Sequence, residues 1–207
     1  MKSSVIRLAL ASLAVAGLSI GTTAVAADLA KIAEDCATCH GKDGASTESD
    51  VPIIGGVSAT YLAANLKSYA KKERPCPDTK IKAGPKKGTS ANMCEIAKGL
   101  GDSDAGSIAK FFAGKKFVRA AQTVDAELAN KGKAIHQKNC EKCHSDDGSD
   151  PKDDSGILAG QWLQYLKASL EEFSTGKRPM EKKMKPRIEK LEKGDFEALA
   201  NYYASFK

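Results

Sequence analysis

Apolar and aromatic positions recur three and four residues apart in two well-separated stretches of the chain. The first contains Tyr61, Leu62, Leu66 and Tyr69, with the polar Asn65 in the same spacing; the second contains Trp162, Tyr165, Leu166, Leu170 and Phe173. That spacing lines one face of a helix. Two further helices are predicted over Asp104 to Ala113 and Asp195 to Ser205, each opening near an acidic residue. No segment alternates convincingly in the manner of a strand, so the pattern predicts an all-α fold. Between the two halves, Lys116 to Thr123 reads as a connection, with a new unit opening at Asp125.

The two halves are copies of one unit. Cys36-Ala37-Thr38-Cys39-His40 recurs as Cys140-Glu141-Lys142-Cys143-His144, an offset of 104 positions. In the same register Gly44 falls on Gly148, Gly56 on Gly160, Tyr61 on Tyr165 and Arg74-Pro75 on Arg178-Pro179. After Pro75 the register breaks and resumes at an offset of 91, pairing Met93 with Met184 and Phe111-Phe112 with Tyr202-Tyr203. Relative to the second copy, the first carries 13 extra residues, the difference between the two offsets, within a Gly- and Pro-containing stretch bracketed by Cys76 and Cys94.

A different pattern marks the N-terminus. Lys2 and Arg7 precede an apolar run from Leu8 to Ile20, and small residues follow to Ala26-Ala27. This is the form of a secretory leader, with cleavage after Ala26 or Ala27. A retained membrane anchor is the alternative, but the run is shorter than the ~20 residues a span requires. The predicted organisation is a leader over 1–27, one domain over 28–118 and a second over 119–207, with no membrane span once the leader is removed. Export implies the periplasm, where spare cysteines oxidise.

Composition then narrows the choice of function. A 42% hydrophobic and 28% charged chain suits globular units, while 6% aromatic residues leave each small unit a thin core. The net charge of +6, lowered to +4 when Lys2 and Arg7 leave with the leader, has no dense basic block. Nucleic-acid binding is not indicated.

Cys-x-x-Cys-His is the attachment signature of c-type haem. Two thiols at this spacing reach the two vinyl groups on one porphyrin edge, and the following histidine lies under the iron. Cys36, Cys39, Cys140 and Cys143 are therefore the predicted attachment residues for two haems, with His40 and His144 as proximal iron ligands. A zinc ribbon requires its Cys-x-x-Cys pairs far closer together, and a thioredoxin-like motif requires neighbouring strands.

Met93 and Met184 occupy equivalent repeat positions in a methionine-poor chain, each upstream of its last helix. They are the predicted sixth ligands, with Met180 the competitor in the second unit. His136 aligns with Ile32 and reads as a packing residue. Cys76 and Cys94 remain for a disulfide across the insertion, a reactive thiol pair being the other reading. Lys177, Arg178, Lys182, Lys183 and Lys185 crowd the second methionine. Such a cluster is either a solvated face or a surface that steers an acidic redox partner.

Together these residues resemble the dihaem cytochrome c4 family, an architecture shared by the haem subunit of flavocytochrome c sulfide dehydrogenase. His136-Gln-Lys-Asn-Cys-Glu-Lys-Cys-His144, Ile157-Leu-Ala-Gly-Gln-Trp162 and Arg178-Pro-Met-Glu-Lys-Lys-Met184 are especially similar to the latter. The resemblance implies two tandem class I cytochrome c domains related by pseudo-twofold symmetry, with haems approaching across the interface. It pairs His40 with Met93 and His144 with Met184. Methionine–histidine ligation raises the reduction potential.

The expected function is a single-electron carrier rather than an enzyme. Its redox partners would be a dehydrogenase, including a flavoprotein, and a terminal oxidase or other acceptor. The alternatives are a subunit of a flavocytochrome sulfide dehydrogenase complex and a haem enzyme such as a thiosulfate dehydrogenase or peroxidase. A methionine available to close each iron position argues against the enzyme.

Overall fold

The structure is a computed structural model that describes residues 22–207, with side chains from Asp28 onward. The leader expected over 1–27 lies, apart from its last backbone positions, outside the described residues.

Helix α1 (Thr22–His40) ends on the first Cys-x-x-Cys-His motif. It stops there because Gly41 adopts φ 73°, where an added Cβ would stand 2.4 Å from the Ala45 carbonyl oxygen. A 3₁₀ turn over Lys42–Gly44 follows. Helix α2 (Ala59–Ala70) is capped by Ser58, whose hydroxyl accepts from the Tyr61 amide.

The bracketed insertion contains a two-residue antiparallel ribbon, β1 (Thr79–Lys80) with β2 (Ser90–Ala91). It is the sole strand pairing among the described residues and is too short to announce itself as alternation. Asn92 then caps α3 (Met93–Lys98), and α4 (Asp102–Ala113) closes the first unit.

The second unit repeats the plan. Asp125 caps α5 (Ala126–Asn139), its carboxylate accepting from the Glu127 and Leu128 amides. A short α6 (Ser145–Gly148) and a 3₁₀ turn over Pro151–Asp153 lead to α7 (Leu163–Ser174). Helix α8 (Lys185–Ile188) follows, then α9 (Lys193–Ala204), which opens with a reciprocal capping box between Glu192 and Asp195.

Backbone bonds reproduce the repeat register on both sides of the insertion. Gly44 accepts from the Ile54 amide at 2.9 Å, as Gly148 does from Leu158 at 2.7 Å. The Gly56 amide donates to Phe112 at 2.8 Å, and Gly160 donates to Tyr203 at 2.7 Å. Each unit has its own core: Ala33 of α1 with Ile108 and Phe112 of α4 in one, and Leu166 of α7 with Leu199, Tyr202 and Tyr203 of α9 in the other, Ile135 of α5 packing against the latter. The α5–α9 crossing is the closer, since a Cβ on Gly132 would stand 2.1 Å from the Ala198 carbonyl oxygen.

The units meet through polar side chains enclosed between them. Gln161, only 3% exposed, accepts from the Ile53 amide and donates to the Ile53 carbonyl, both at 2.9 Å. Trp162 Nε1 donates to the Ser46 carbonyl at 3.0 Å, and the Tyr165 amide donates to the Ser49 carbonyl at 3.1 Å. On the other side, the Tyr61 ring lies against Gly156, leaving no room there for a side chain.

Candidate haem sites

Each motif sits where a first helix gives way to a turn. Cys36 packs into the α1–α4 core, and Cys140 into the α5–α9 core. Burial, reinforced by Asp35, pushes the Cys36 thiol up to about 11, and burial raises Cys140 likewise. These two cysteines, with Cys39 and Cys143, are not disulfide-bonded, as thioether formation requires.

His40 is buried, with Nδ1 2.8 Å from the Pro52 carbonyl oxygen. A carbonyl only accepts, so Nδ1 carries the proton and Nε2 keeps its lone pair for a metal. His144 caps α6 and is half-buried, with no partner at Nδ1. Burial lowers the pKa of both imidazoles, favouring the neutral form that ligates iron.

Met93 is the first residue of α3, and Met184 is the residue on which α8 opens; both are half-buried. The repeat thus sets both methionines at the start of a short helix, Met93 at its first residue behind the Asn92 cap and Met184 at the capping position itself. Met180 is also half-buried, but in a segment that is neither helix nor strand. Cys76 and Cys94 are joined by a disulfide with a Cα–Cα distance of 5.7 Å, which ties the insertion to the residue beside Met93.

The interface holds a group of residues whose interaction the sequence reading missed. Arg74 and Arg178, at equivalent repeat positions, are each 5% exposed. Arg74 reaches Asn65 at 2.7 Å and Glu172 of the other unit at 3.3 Å. Arg178 crosses in the opposite direction, donating to the Tyr61 hydroxyl at 2.9 Å and to Asn65 Oδ1 at 3.0 Å. Each guanidinium also stacks on an equivalent ring, Arg74 over Tyr69 and Arg178 over Phe173.

Arg178 therefore does not belong to the exposed basic cluster. A signal was present: Arg-Pro and Tyr recur at a common offset, and a charged residue kept by two copies at one place has a shared partner.

This chemistry fits a haem. Among the described side chains of the cluster, two buried guanidiniums face one carboxylate, Glu172, and Arg74 Nε has no partner. Burial pushes the Tyr165 phenol up, but Arg178 and Arg74 outweigh it and hold the phenol down to about 8. A pocket in which two guanidiniums lower the pKa of a buried phenol also accommodates further negative charge. Haem propionates supply such charge, and the two arginines with Tyr61 and Tyr165 are the residues that would hold them. When bound, each haem contributes reversible one-electron iron chemistry.

The Cytochrome c family profile matches residues 26–114 and 129–207, one copy on each unit. This chain belongs to the cytochrome c family. The cytochrome is 29% identical to cytochrome c4 of Pseudomonas aeruginosa over 93% of this chain and 94% of that protein. It is 30% identical to the thiosulfate dehydrogenase electron acceptor of Stutzerimonas stutzeri over 79% and 78%. The crystal structure of reduced recombinant cytochrome c4 from Pseudomonas stutzeri superimposes with a TM-score of 0.68 at 26% identity. That match covers 88% of this chain and 98% of the other.

The cytochrome is thus an all-α, electron-transferring protein of two tandem domains that carries two covalently bound haems c.

Proposed function

We propose that the cytochrome is a periplasmic carrier passing single electrons between a dehydrogenase and a downstream acceptor. Cys36 and Cys39 hold one haem and Cys140 and Cys143 the other. His40 with Met93 and His144 with Met184 are the axial ligand pairs. The domain boundary falls between 118 and 119, in the stretch between the two profile matches. The observation that carries this reading is the duplication itself: two attachment motifs at one repeat offset, each paired with a methionine that opens a short helix.

A dedicated electron acceptor for one sulfur-compound dehydrogenase is the second reading. It is favoured by the similarity to a thiosulfate dehydrogenase electron acceptor. Isolation of the native protein at low salt separates the two. A free dihaem monomer supports the general carrier, whereas a co-purifying dehydrogenase supports the dedicated acceptor. Pyridine haemochrome analysis giving fewer than two haems c per chain would overturn both.

A further inference from the structure

The repeat that makes the two units alike also marks where they part. In the first unit, α2, α3 and α4 border an open groove of about 450 Å³, lined largely by Ala63, Leu66, Ala70, Leu100, Ala105 and Gly106. No attachment cysteine or predicted iron ligand lines it.

The second unit closes the equivalent position with its own side chains. Ala63 and Gly106 correspond to Lys167 and Glu197, which form an ion pair between α7 and α9. Ala105 corresponds to Phe196, which is half-buried. Next to Ala97 of the groove, Ile96 is 41% exposed, and its counterpart is Arg187. Positions that are charged or bulky in one copy are therefore small or apolar in the other.

Gly106 has no internal reason to be glycine. It lies inside α4, and a Cβ added there would meet nothing within 4 Å among the described residues. Glycine inside a helix costs stability relative to alanine. What it provides is room for a second chain to approach the helix closely.

The charges around the groove select the occupant. Lys67 on α2 and Lys71 at its C-terminal cap form one wall, and Asp102 at the start of α4 stands on the other. Lys71 pairs with Glu73 and Lys72 with Glu95. Asp104, Lys98 and Lys110 complete the face, which sets five lysines against four carboxylates, a net +1. A strongly acidic or strongly basic partner meets no matching field there. A second copy turned about a twofold axis does, because the basic wall of each copy then faces the acidic wall of the other.

We propose that this groove is a self-association surface through which two copies of the chain pair about a twofold axis. Lys67 of each copy meets Asp102 of the other, and Ile96 adds apolar area to the contact.

Sedimentation velocity of the haem-loaded protein, followed at the haem absorbance from micromolar to millimolar concentration, tests the pairing. The sedimentation coefficient should rise with concentration toward that of a particle of twice the mass. Ala63→Lys with Gly106→Glu installs the second unit's ion pair in the groove and should abolish the rise while leaving the visible spectrum unchanged. Lys67→Glu and Asp102→Lys should each weaken pairing alone. Their equimolar mixture should regain it, since each copy then carries the complement of the other. A sedimentation coefficient that stays constant, pairing that survives Ala63→Lys with Gly106→Glu, or a mixture no better than its components would overturn the proposal. The same absorbance reports haem content, so failure of the carrier reading is seen separately.

Discussion

Arg178 of the second unit donates to the Tyr61 hydroxyl of the first at 2.9 Å, while Arg74 of the first reaches Glu172 of the second at 3.3 Å. The two crossings join the units through buried cations. Removing Arg178 leaves Tyr61 and Asn65 without their cross-unit donor and Phe173 without its cation. Arg178→Ala should cost about 2–4 kcal/mol, read from the denaturant midpoint of the holoprotein. Loss of a buried positive charge should also lower the reduction potentials, because ferric iron is then less disfavoured. Unchanged stability and potentials would contradict the role assigned to this cluster.

The α5–α9 crossing predicts a sharper steric effect. Any side chain on Gly132 meets the Ala198 backbone, which cannot swing aside as a flexible side chain can. Gly132→Val should destabilise by at least about 1–3 kcal/mol, the usual cost of overpacking. The same change at the equivalent position of the first unit should be mild, because Asp28 already stands there and is exposed. Thermal unfolding of the two variants makes the comparison.

His136 predicts a pH dependence. It is fully buried, with Nδ1 2.9 Å from the Tyr203 hydroxyl and Nε2 4.0 Å from Asp147. Burial lowers its pKa below the ordinary 6.5, although Asp147 and Glu141 oppose the shift. The unfolded chain therefore binds the proton more readily, and this group withdraws stability as pH falls below about 6.5, until the folded-state pKa is passed. His136→Phe should flatten the stability profile over roughly pH 5–7, the range that brackets an ordinary histidine. A profile identical to wild type would show that His136 does not titrate on unfolding.

The Cys76–Cys94 disulfide closes a loop with a sequence separation of 18. Cys76→Ser with Cys94→Ser should lower stability by ~3 kcal/mol on the chain-entropy account. Because Cys94 adjoins Met93, the same variant should lose methionine ligation of one haem at a lower pH than wild type. A pH titration of the long-red charge-transfer band of methionine-ligated ferric haem reads this directly.

Much of the architecture was legible in advance, because duplication supplies an internal comparison. The Gly44/Gly148 and Gly56/Gly160 pairs, aligned from the sequence, make equivalent backbone bonds. Asp125, read as the start of the second unit, caps α5.

What remained hidden depends on contacts between units. Arg178 stands in a run of lysines, and its burial follows from a tyrosine 117 positions away that local pattern cannot register. The path of the insertion, whose Gly84 lies against Thr38, was equally hidden, since Gly- and Pro-rich loops carry no periodicity. The isoleucine counterpart of His136 points to a packing role. His136 does pack, and its hydrogen bond to Tyr203 is the addition that the alignment with Ile32 could not suggest.

The central claim is that each iron is held by one histidine and one methionine. Low-temperature electron paramagnetic resonance of the oxidised holoprotein tests it, with Met93→Ala, Met184→Ala and Met180→Ala compared. Wild type should show two low-spin ferric haems and no high-spin signal. Met93→Ala and Met184→Ala should each lose one low-spin methionine species, while Met180→Ala keeps both. A high-spin haem in the wild type, or loss of a methionine ligand on replacing Met180, would contradict the account.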